Sequence, residues 1–365
     1  MIRGFLWERD DWPELRFDPA RLSRLLVAVA GTEGRVAGAL AALATGERDA
    51  LAREALVSTA LDTSEIEGER IRPESIRASL TRRLALRRAD GSDPAADGVV
   101  SLSVDAIRNA AAPLTRERLF AWHRELLASA PRGIAVGAWR PNSDDPMQVV
   151  SGPPGARIIH FEAPPAARVG SEMNAYVAWI ESTAAAALPP VALAAIAHFR
   201  FLTIHPFADG NGRIGRAIAD LVLTRAQPDA AQYVSLSRQI LTERPAYYET
   251  LERTQRGDVN VTAWVEWFAQ CYERAAEHTL AAIEELTRAS RFWRDHAGVE
   301  LNARQRKVLE RYLSGSFDGW INTTKYAALA KTSADTALRD IADLVAKNIL
   351  AANDGRARKT SYRLR

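Results

Sequence analysis

The chain has 365 residues, 47% of them hydrophobic and 25% charged, with a formal net charge of +3. At roughly 150 residues per domain this is globular composition with room for two or three domains, which excludes a disordered or fibrous chain. A lone cysteine, Cys271, excludes an intramolecular disulfide and a thiolate metal cluster, so a reducing, cytoplasmic setting is expected.

The first residues, Met1-Ile-Arg-Gly-Phe-Leu-Trp-Glu8, turn acidic before an apolar run develops, so no secretory leader is expected there. Nor does any stretch reach the roughly 18 to 20 uninterrupted apolar residues that a membrane span needs, and no membrane partner is expected. From Asp18-Pro19, an N-cap and first-turn pair, the spacing of Leu, Val and Ala predicts two long helices to about residue 66, joined near Gly46. These make an N-terminal helical region, residues 1–95. Residues 85–98 are polar and rich in turn formers and read as a linker or long loop. A middle domain is expected over 96–290. Within it, Met147 to Phe161 breaks the helical pattern and reads as two short strands around a Gly/Pro turn, a β-hairpin. Helices are predicted from about Gly170 to Ser182 and Pro190 to Thr203, and again after a glycine-rich stretch to about residue 290.

The last segment, 298–365, has its own pattern. Helices are predicted near Arg304 to Leu313, near Thr323 to Ala330, and from Ser333 to about Asn348. Ile349 to Ala352, a turn at Asn353-Asp-Gly355 and the alternating Lys359 to Leu364 follow as a hairpin, completing a winged helix-turn-helix pattern. Residues 301–365 carry 13 Lys/Arg against 6 Asp/Glu, a segment charge of +7 that leaves −4 for the remainder. Nucleic acid is therefore one expected partner of 301–365, with a solvated charged face or a protein-docking module as alternatives. The third helix is weakly basic because Arg339 sits among Asp335, Asp340 and Asp343. Phosphate contacts would come chiefly from Arg356, Arg358, Lys359 and Arg363.

Asp209-Gly-Asn-Gly-Arg213 carries the chemistry. Gly210 and Gly212 are expected to let the backbone turn with positive φ and expose successive N–H groups, and the helix that follows aims its positive dipole end at the same space, which makes an anion nest. Arg213 and Arg216, three apart on one helix face, add bidentate contacts suited to phosphate oxygens. Asp209 is a hard oxygen ligand suited to Mg²⁺, so a triphosphate with magnesium is the expected guest. His205, at the end of the preceding helix, supplies a base titrating near neutral pH and placed to deprotonate an incoming hydroxyl. Gly210, Gly212 and Gly215 also satisfy G-x-G-x-x-G. A dinucleotide site fails on context, because a helix precedes it and no acidic residue lies about twenty positions on. No Walker A string occurs.

The string His205-Pro-Phe-Ala-Asp-Gly-Asn-Gly-Arg-Ile-Gly-Arg216 resembles the Fic family motif H-P-F-x-[D/E]-G-N-G-R-x-x-R at every defined position. The resemblance implies a mostly α fold, a helical core with a β-hairpin flap, whose members transfer AMP from ATP to a Ser, Thr or Tyr hydroxyl of a target protein. His205 would be the base, Asp209 the Mg²⁺ ligand, Gly210, Asn211 and Gly212 the phosphate-binding backbone, and Arg213 and Arg216 the holders of the β and γ phosphates. The hairpin resembles the family's flap, with Met147, Gln148, Val149 and Val150 as the edge that pairs with the target's backbone. Tyr247-Tyr248 and Thr262-Ala-Trp264 resemble segments that help build the nucleotide pocket, which makes Tyr248 a candidate contact.

Thr63-Ser-Glu-Ile-Glu67-Gly68 fits the family's inhibitory pattern [S/T]-x-x-x-E-[G/N]. A Glu67 carboxylate paired with Arg216 would occupy the γ-phosphate site and hold the chain inactive. Some members use this glutamate to orient a water and remove AMP, and that reading stands beside the first. A regulator that binds DNA through 301–365, its core serving for sensing or dimerisation, is the alternative from another class. The apolar N-terminal helices are compatible with a homodimer.

Overall fold

The computed structural model describes all residues except 1–3, 85–92, 130, 132, 144, 153–155, 315–318 and 354–359. The chain divides into two compact units, residues 1–279 and 280–365.

In the first unit, α1 (Pro19–Ala41) begins where Asp18 accepts the N–H groups of Ala20 and Arg21, at 3.0 and 3.1 Å. Helix α2 (Thr45–Ile66) follows after three residues, so the joint lies at 42–44 and not near Gly46. Gly46 falls in the first turn of α2, where its N–H needs no intrahelical partner, and Glu47 reaches back to the Ala44 N–H at 2.9 Å. Helix α3 (Pro73–Leu84) was not anticipated. The expected linker is shorter than 85–98: residues 85–92 lie outside the described residues, and α4 (Pro94–Arg108) already begins at Pro94, capped by Asp93.

Helix α5 (Arg116–Leu126) leads to the hairpin, β1 (Gln148–Ser151) and β2 (Ile158–Glu162). The strands are antiparallel, Gln148 opposite Glu162 and Ser151 opposite Ile158, with a register shift between Val149 and Val150. Most of the expected Gly/Pro turn, residues 153–155, lies outside the described residues. Helix α6 (Ala166–Ile180) starts four residues earlier than Gly170 because Pro165 can precede a helix. Short α7 (Thr183–Ala186) precedes α8 (Pro190–Ile204) and α9 (Asn211–Ala226), a pair buried almost throughout. Helices α10 (Leu236–Thr242), α11 (Arg244–Gln255) and α12 (Thr262–Asp295) complete the order. One continuous apolar core, with Ile66, Leu119, Phe199, Phe207, Ile218 and Trp264 among its members, underlies all of the first unit.

The second unit contains α13 (Ala303–Leu313), α14 (Thr323–Ala330), α15 (Ala334–Ala346), β3 (Leu350–Ala352) and β4 (Tyr362–Leu364). Leu350 pairs with Leu364, and Ile321 bridges to Tyr362. Val308, Leu309, Tyr326, Ile341 and Leu344 form its core. Arg339 does not face the three aspartates as expected. Asp340 is 6% exposed and turns to Arg304, Asn302 and Tyr326, Asp343 bonds Lys347 and Gln305, and Arg339 approaches only the Asp335 carbonyl. Gly355, Arg356, Arg358 and Lys359 lie outside the described residues. Among the described residues no helix is long and apolar enough to cross a membrane.

Candidate active site

His205 caps the C-terminus of α8 in the left-handed region, φ 50°, with its N–H bonded to the Phe201 carbonyl at 3.0 Å. A non-glycine residue held there costs about 1–2 kcal/mol, and such costs gather at functional sites. Its Nδ1 lies 3.3 Å from the Leu202 carbonyl oxygen. A carbonyl only accepts, so Nδ1 carries the proton and Nε2 is left as the basic nitrogen. Burial pushes the imidazole pKa down to about 4, so the ring is neutral at physiological pH.

The loop from Pro206 to Gly210 is tied down at nearly every residue. Asn211 is 3% exposed; its side-chain oxygen accepts the Phe207 N–H at 3.0 Å, and its NH₂ donates to the Phe207 carbonyl at 2.8 Å. The amide side chain is thus spent on the loop, while the backbone N–H sits on the first turn of α9 without an intrahelical acceptor. Gly210 has φ 79° and donates its N–H to Asp209 Oδ1 at 2.6 Å, whereas Gly212 does not take the positive φ expected of it because it already lies in the first turn of α9. Asp209 itself is about half exposed, with Oδ1 3.8 Å from Arg213 Nη2.

Two residues that the sequence did not single out hold this loop. His123, on α5, accepts the Gly137 N–H at Nδ1 (2.8 Å), so Nε2 carries the proton and donates to the Asp209 carbonyl at 3.2 Å. Its ring stacks on Phe207 at 4.0 Å, and burial lowers its pKa, which favours this neutral form. Arg140 donates Nε–H to the His205 carbonyl (2.8 Å), its backbone N–H to the Pro206 carbonyl (2.9 Å), and Nη2–H to the Pro164 carbonyl. The motif loop and the chain that follows the hairpin therefore share one guanidinium.

Arg213 and Arg216 point from the first two turns of α9 toward the end of α2. Arg216 is 1% exposed; Nη2 donates to Glu67 Oε1 at 2.8 Å and to the Thr63 carbonyl at 2.9 Å, and Nε donates to Thr63 Oγ1 at 2.8 Å. Burial alone would lower the Arg216 pKa, and the Glu67 carboxylate, with Tyr247 and Tyr248 beside it, leaves it raised. Arg213 Nη1 donates to Glu69 at 2.6 Å, a contact across 144 residues that the sequence reading missed. Both acids flank Gly68, φ 83°, in a Schellman turn: the Gly68 N–H bonds the Glu65 carbonyl and the Glu69 N–H bonds the Ser64 carbonyl, at 2.9 and 3.0 Å. At Gly212 the fit is close enough that a Cβ would stand 2.0 Å from Glu67 Oε1. Arg216 Nη1 and Arg213 Nε remain buried with no acceptor among the described residues, which suits a polyanion as an additional partner.

Among the described residues no group of three His, Cys, Asp or Glu side chains could hold a metal ion. The donor set is one exposed carboxylate, Asp209, next to an anion nest. That fits an Mg²⁺ ion completed by waters and phosphate oxygens.

Tyr247 and Trp264, at 1% and 0% exposure, belong to the core: Tyr247 bonds His198 and the Trp264 indole N–H donates to the Ala195 carbonyl. Thr262 accepts the Asp18 N–H at 2.9 Å. Only Tyr248 reaches the site's rim, its hydroxyl 3.4 Å from the Ile66 carbonyl. On the hairpin, Val149, Val150, Ile158 and Ile159 are exposed, and the Met147 carbonyl accepts the Ala163 N–H at 2.9 Å. Gln148 bonds Glu162 at 2.9 Å. A cavity of about 520 Å³ beside it is lined by Met147, Glu162, Arg140, Pro164, Trp7 and Ala208, so it runs from the hairpin to the catalytic loop.

A sequence model of the Fic/DOC family matches residues 113–223, and one described as a domain of unknown function (DUF4172) matches residues 5–86. The chain is 36% identical over 115 residues to the protein adenylyltransferase Fic of Aedes aegypti, covering 32% of this chain and 21% of that protein. It is 33% identical over 128 residues to the Nematostella vectensis protein of the same name, covering 34% and 28%. The matched regions thus span under a third of the length of these relatives. A Fic family protein of Desulfovibrio desulfuricans G20 superimposes with a TM-score of 0.56 at 20% identity, over 97% of this chain and 98% of that one. Fic-1 of C. elegans does so at 0.53 and 21%, over 73% of each chain.

Proposed function

Since the chain belongs to the Fic family through residues 113–223, we propose that it is a protein adenylyltransferase, moving AMP from ATP to a Ser, Thr or Tyr hydroxyl of a target protein. The observation that carries this reading is the convergence, on one loop and one helix start, of a basic imidazole nitrogen, a carboxylate and two buried guanidinium groups. His205 Nε2 takes the hydroxyl proton as the oxygen attacks the α-phosphorus, and the bond to the β-phosphate oxygen breaks to release pyrophosphate. The N–H groups at the start of α9, with Arg213 and Arg216, hold the phosphates and the charge that builds on the leaving group. Asp209 would hold Mg²⁺, which neutralises phosphate charge when bound. Arg140 and His123 act through the loop as positioning residues. The exposed edge of β1 supports pairing with the target's backbone, with Met147 to Val150 as the strand that reads it.

On the same reading Glu67 is a brake. Its carboxylate already satisfies the guanidinium that a γ-phosphate would need. The test is incubation of the wild type, Glu67→Gly and His205→Ala with α-labelled ATP and Mg²⁺ in a cell lysate. Label on protein with Glu67→Gly, and none with His205→Ala, is expected; label that persists without His205, or no label from any variant, overturns the reading.

A second reading, nucleic-acid binding through 301–365, is favoured by one observation. Lys307, Arg311 and Lys331 share a groove of about 570 Å³ in which Glu310 is the one acid, so the groove keeps a net positive charge although Asp340 and Asp343 pair with Arg304 and Lys347 elsewhere in the unit. Retention of the full chain on duplex DNA should then weaken steeply with salt; salt-independent retention, or none, removes this reading.

A further inference from the structure

A second cavity in the first unit has nothing to do with the motif loop. It measures about 320 Å³ and is lined by Leu15, Phe17, Trp179, Leu188, Ile196 and Arg200, with Glu14 and Arg16 at its lip. Arg200 lies on α8, five residues before His205, and is only 4% exposed. A buried guanidinium normally spends its five N–H donors on carboxylates or carbonyls. Arg200 does neither: among the described residues it has no ion pair or hydrogen bond, and its Nε–H is fully buried without an acceptor. Its guanidinium carbon stands 5.3 Å from the Trp179 ring centroid and 5.8 Å from that of Tyr176.

Two acids, Glu172 and Glu14, act on Arg200 through their charge, but neither forms an ion pair with it among the described residues. Glu172 accepts the Trp12 indole N–H at 3.0 Å and Arg168 at 2.6 Å. Glu14 is solvent-exposed and makes no ion pair among the described residues. The wall is also fixed in place, because the Arg16 backbone exchanges hydrogen bonds with Val259 and Val261, at 2.8 and 2.7 Å. Two guanidinium groups against one carboxylate leave the lining side chains with a single net positive charge, and the other side chains that line it are apolar or aromatic.

We propose that this cavity is a binding site for a small organic monocarboxylate, its carboxylate on Arg200 and its apolar body against Trp179, Leu188, Ile196 and Phe17. The planar fork of Arg200 matches a carboxylate in bidentate geometry, and stacking on Trp179 holds that fork in place. A phosphate dianion would be left under-neutralised by one net charge in a largely apolar wall. The site is independent of the transfer reaction, and its test reads binding alone.

The experiment is calorimetric titration of the full chain with phenylacetate, indole-3-acetate and octanoate, each beside its neutral amide. At least one carboxylate is expected to bind saturably at one site, about tenfold or more tighter than its amide, as a charge-assisted contact implies. Arg200→Gln should abolish that preference, and Leu188→Trp, which fills the cavity and keeps Arg200, should abolish binding of acid and amide alike. Circular dichroism confirms that each variant is folded; if Arg200→Gln is not, Leu188→Trp decides alone. Equal binding of acid and amide, binding unchanged by Leu188→Trp, or no binding of any probe overturns the proposal and leaves Arg200 as a solvated stacking partner.

Discussion

Replacing Glu67 by Gln removes one charge and almost no volume, so it isolates the electrostatic part of the Glu67–Arg216 contact. Arg216 would keep its two bonds to Thr63, at 2.8 and 2.9 Å, and lose a charge-assisted bond of 2.8 Å. Such bonds contribute about 1.5–3 kcal/mol when buried. The Glu67 side chain is 30% exposed, and solvent screening brings the figure to about 1–2 kcal/mol. The same free energy is what a triphosphate must displace to reach Arg216. Glu67→Gln should therefore lower the thermal midpoint slightly and tighten the binding of Mg²⁺ with a non-transferable ATP analogue by about 5- to 30-fold. Calorimetric titration of wild type and variant at one salt concentration reads this directly. Affinities within twofold of each other would show that Glu67 and the phosphates do not compete, and the brake would have to be abandoned.

Glu69→Ala should act in the same direction and more weakly, under about fivefold in nucleotide affinity, because the Glu69 side chain is 45% exposed; a larger gain than Glu67→Gln refutes the ranking. Gly212→Ala forces the Glu67 carboxylate off Arg216, so adding Glu67→Gln to it should change nucleotide affinity little, and full additivity in a double-mutant cycle would contradict the 2.0 Å approach. Asn211→Ala orphans the Phe207 N–H and carbonyl and should cost about 2–4 kcal/mol, read as a clear fall in thermal midpoint; an unchanged midpoint means that the loop is held otherwise. Burial holds His205 at about 4, so its neutral, proton-accepting form is lost only as pH falls through that value. The transfer rate of Glu67→Gly should accordingly stay level from about pH 8 to about pH 6, and a rate that halves near the ordinary histidine value of about 6.5 refutes the assignment.

Legibility followed sequence distance. The motif residues 205–216 are contiguous, so their chemistry could be read from spacing alone, and α14 spans Thr323–Ala330 as the sequence predicts. The positioning residues were hidden because each meets the loop from afar: Arg140 reaches His205 across 65 residues and His123 reaches Asp209 across 86. Only a histidine on an apolar helix face and an isolated Trp-Arg-Pro hinted at them. Asp93-Pro94 repeats the Asp18-Pro19 cap that was read correctly, yet the surrounding Gly, Ser and Asp masked it, and the start of α4 was taken for loop. Asp340 was expected beside Arg339. Its partner Arg304 lies 36 residues upstream, on a helix whose packing no local pattern predicts.

The Schellman turn at Gly68 gives the proposed brake a particular kinetic character. Both carboxylates lie just past Ile66, the last residue of α2, in a turn held by two backbone bonds to Ser64 and Glu65. Helix ends fray at far lower free energy than a domain unfolds. Release would then be an opening equilibrium confined to a few residues, faster than any separation of helical layers, and sensitive to whatever grips or loosens the segment just after Gly68. Amide exchange at Gly68 and Glu69 would report the fraction of time this turn spends open.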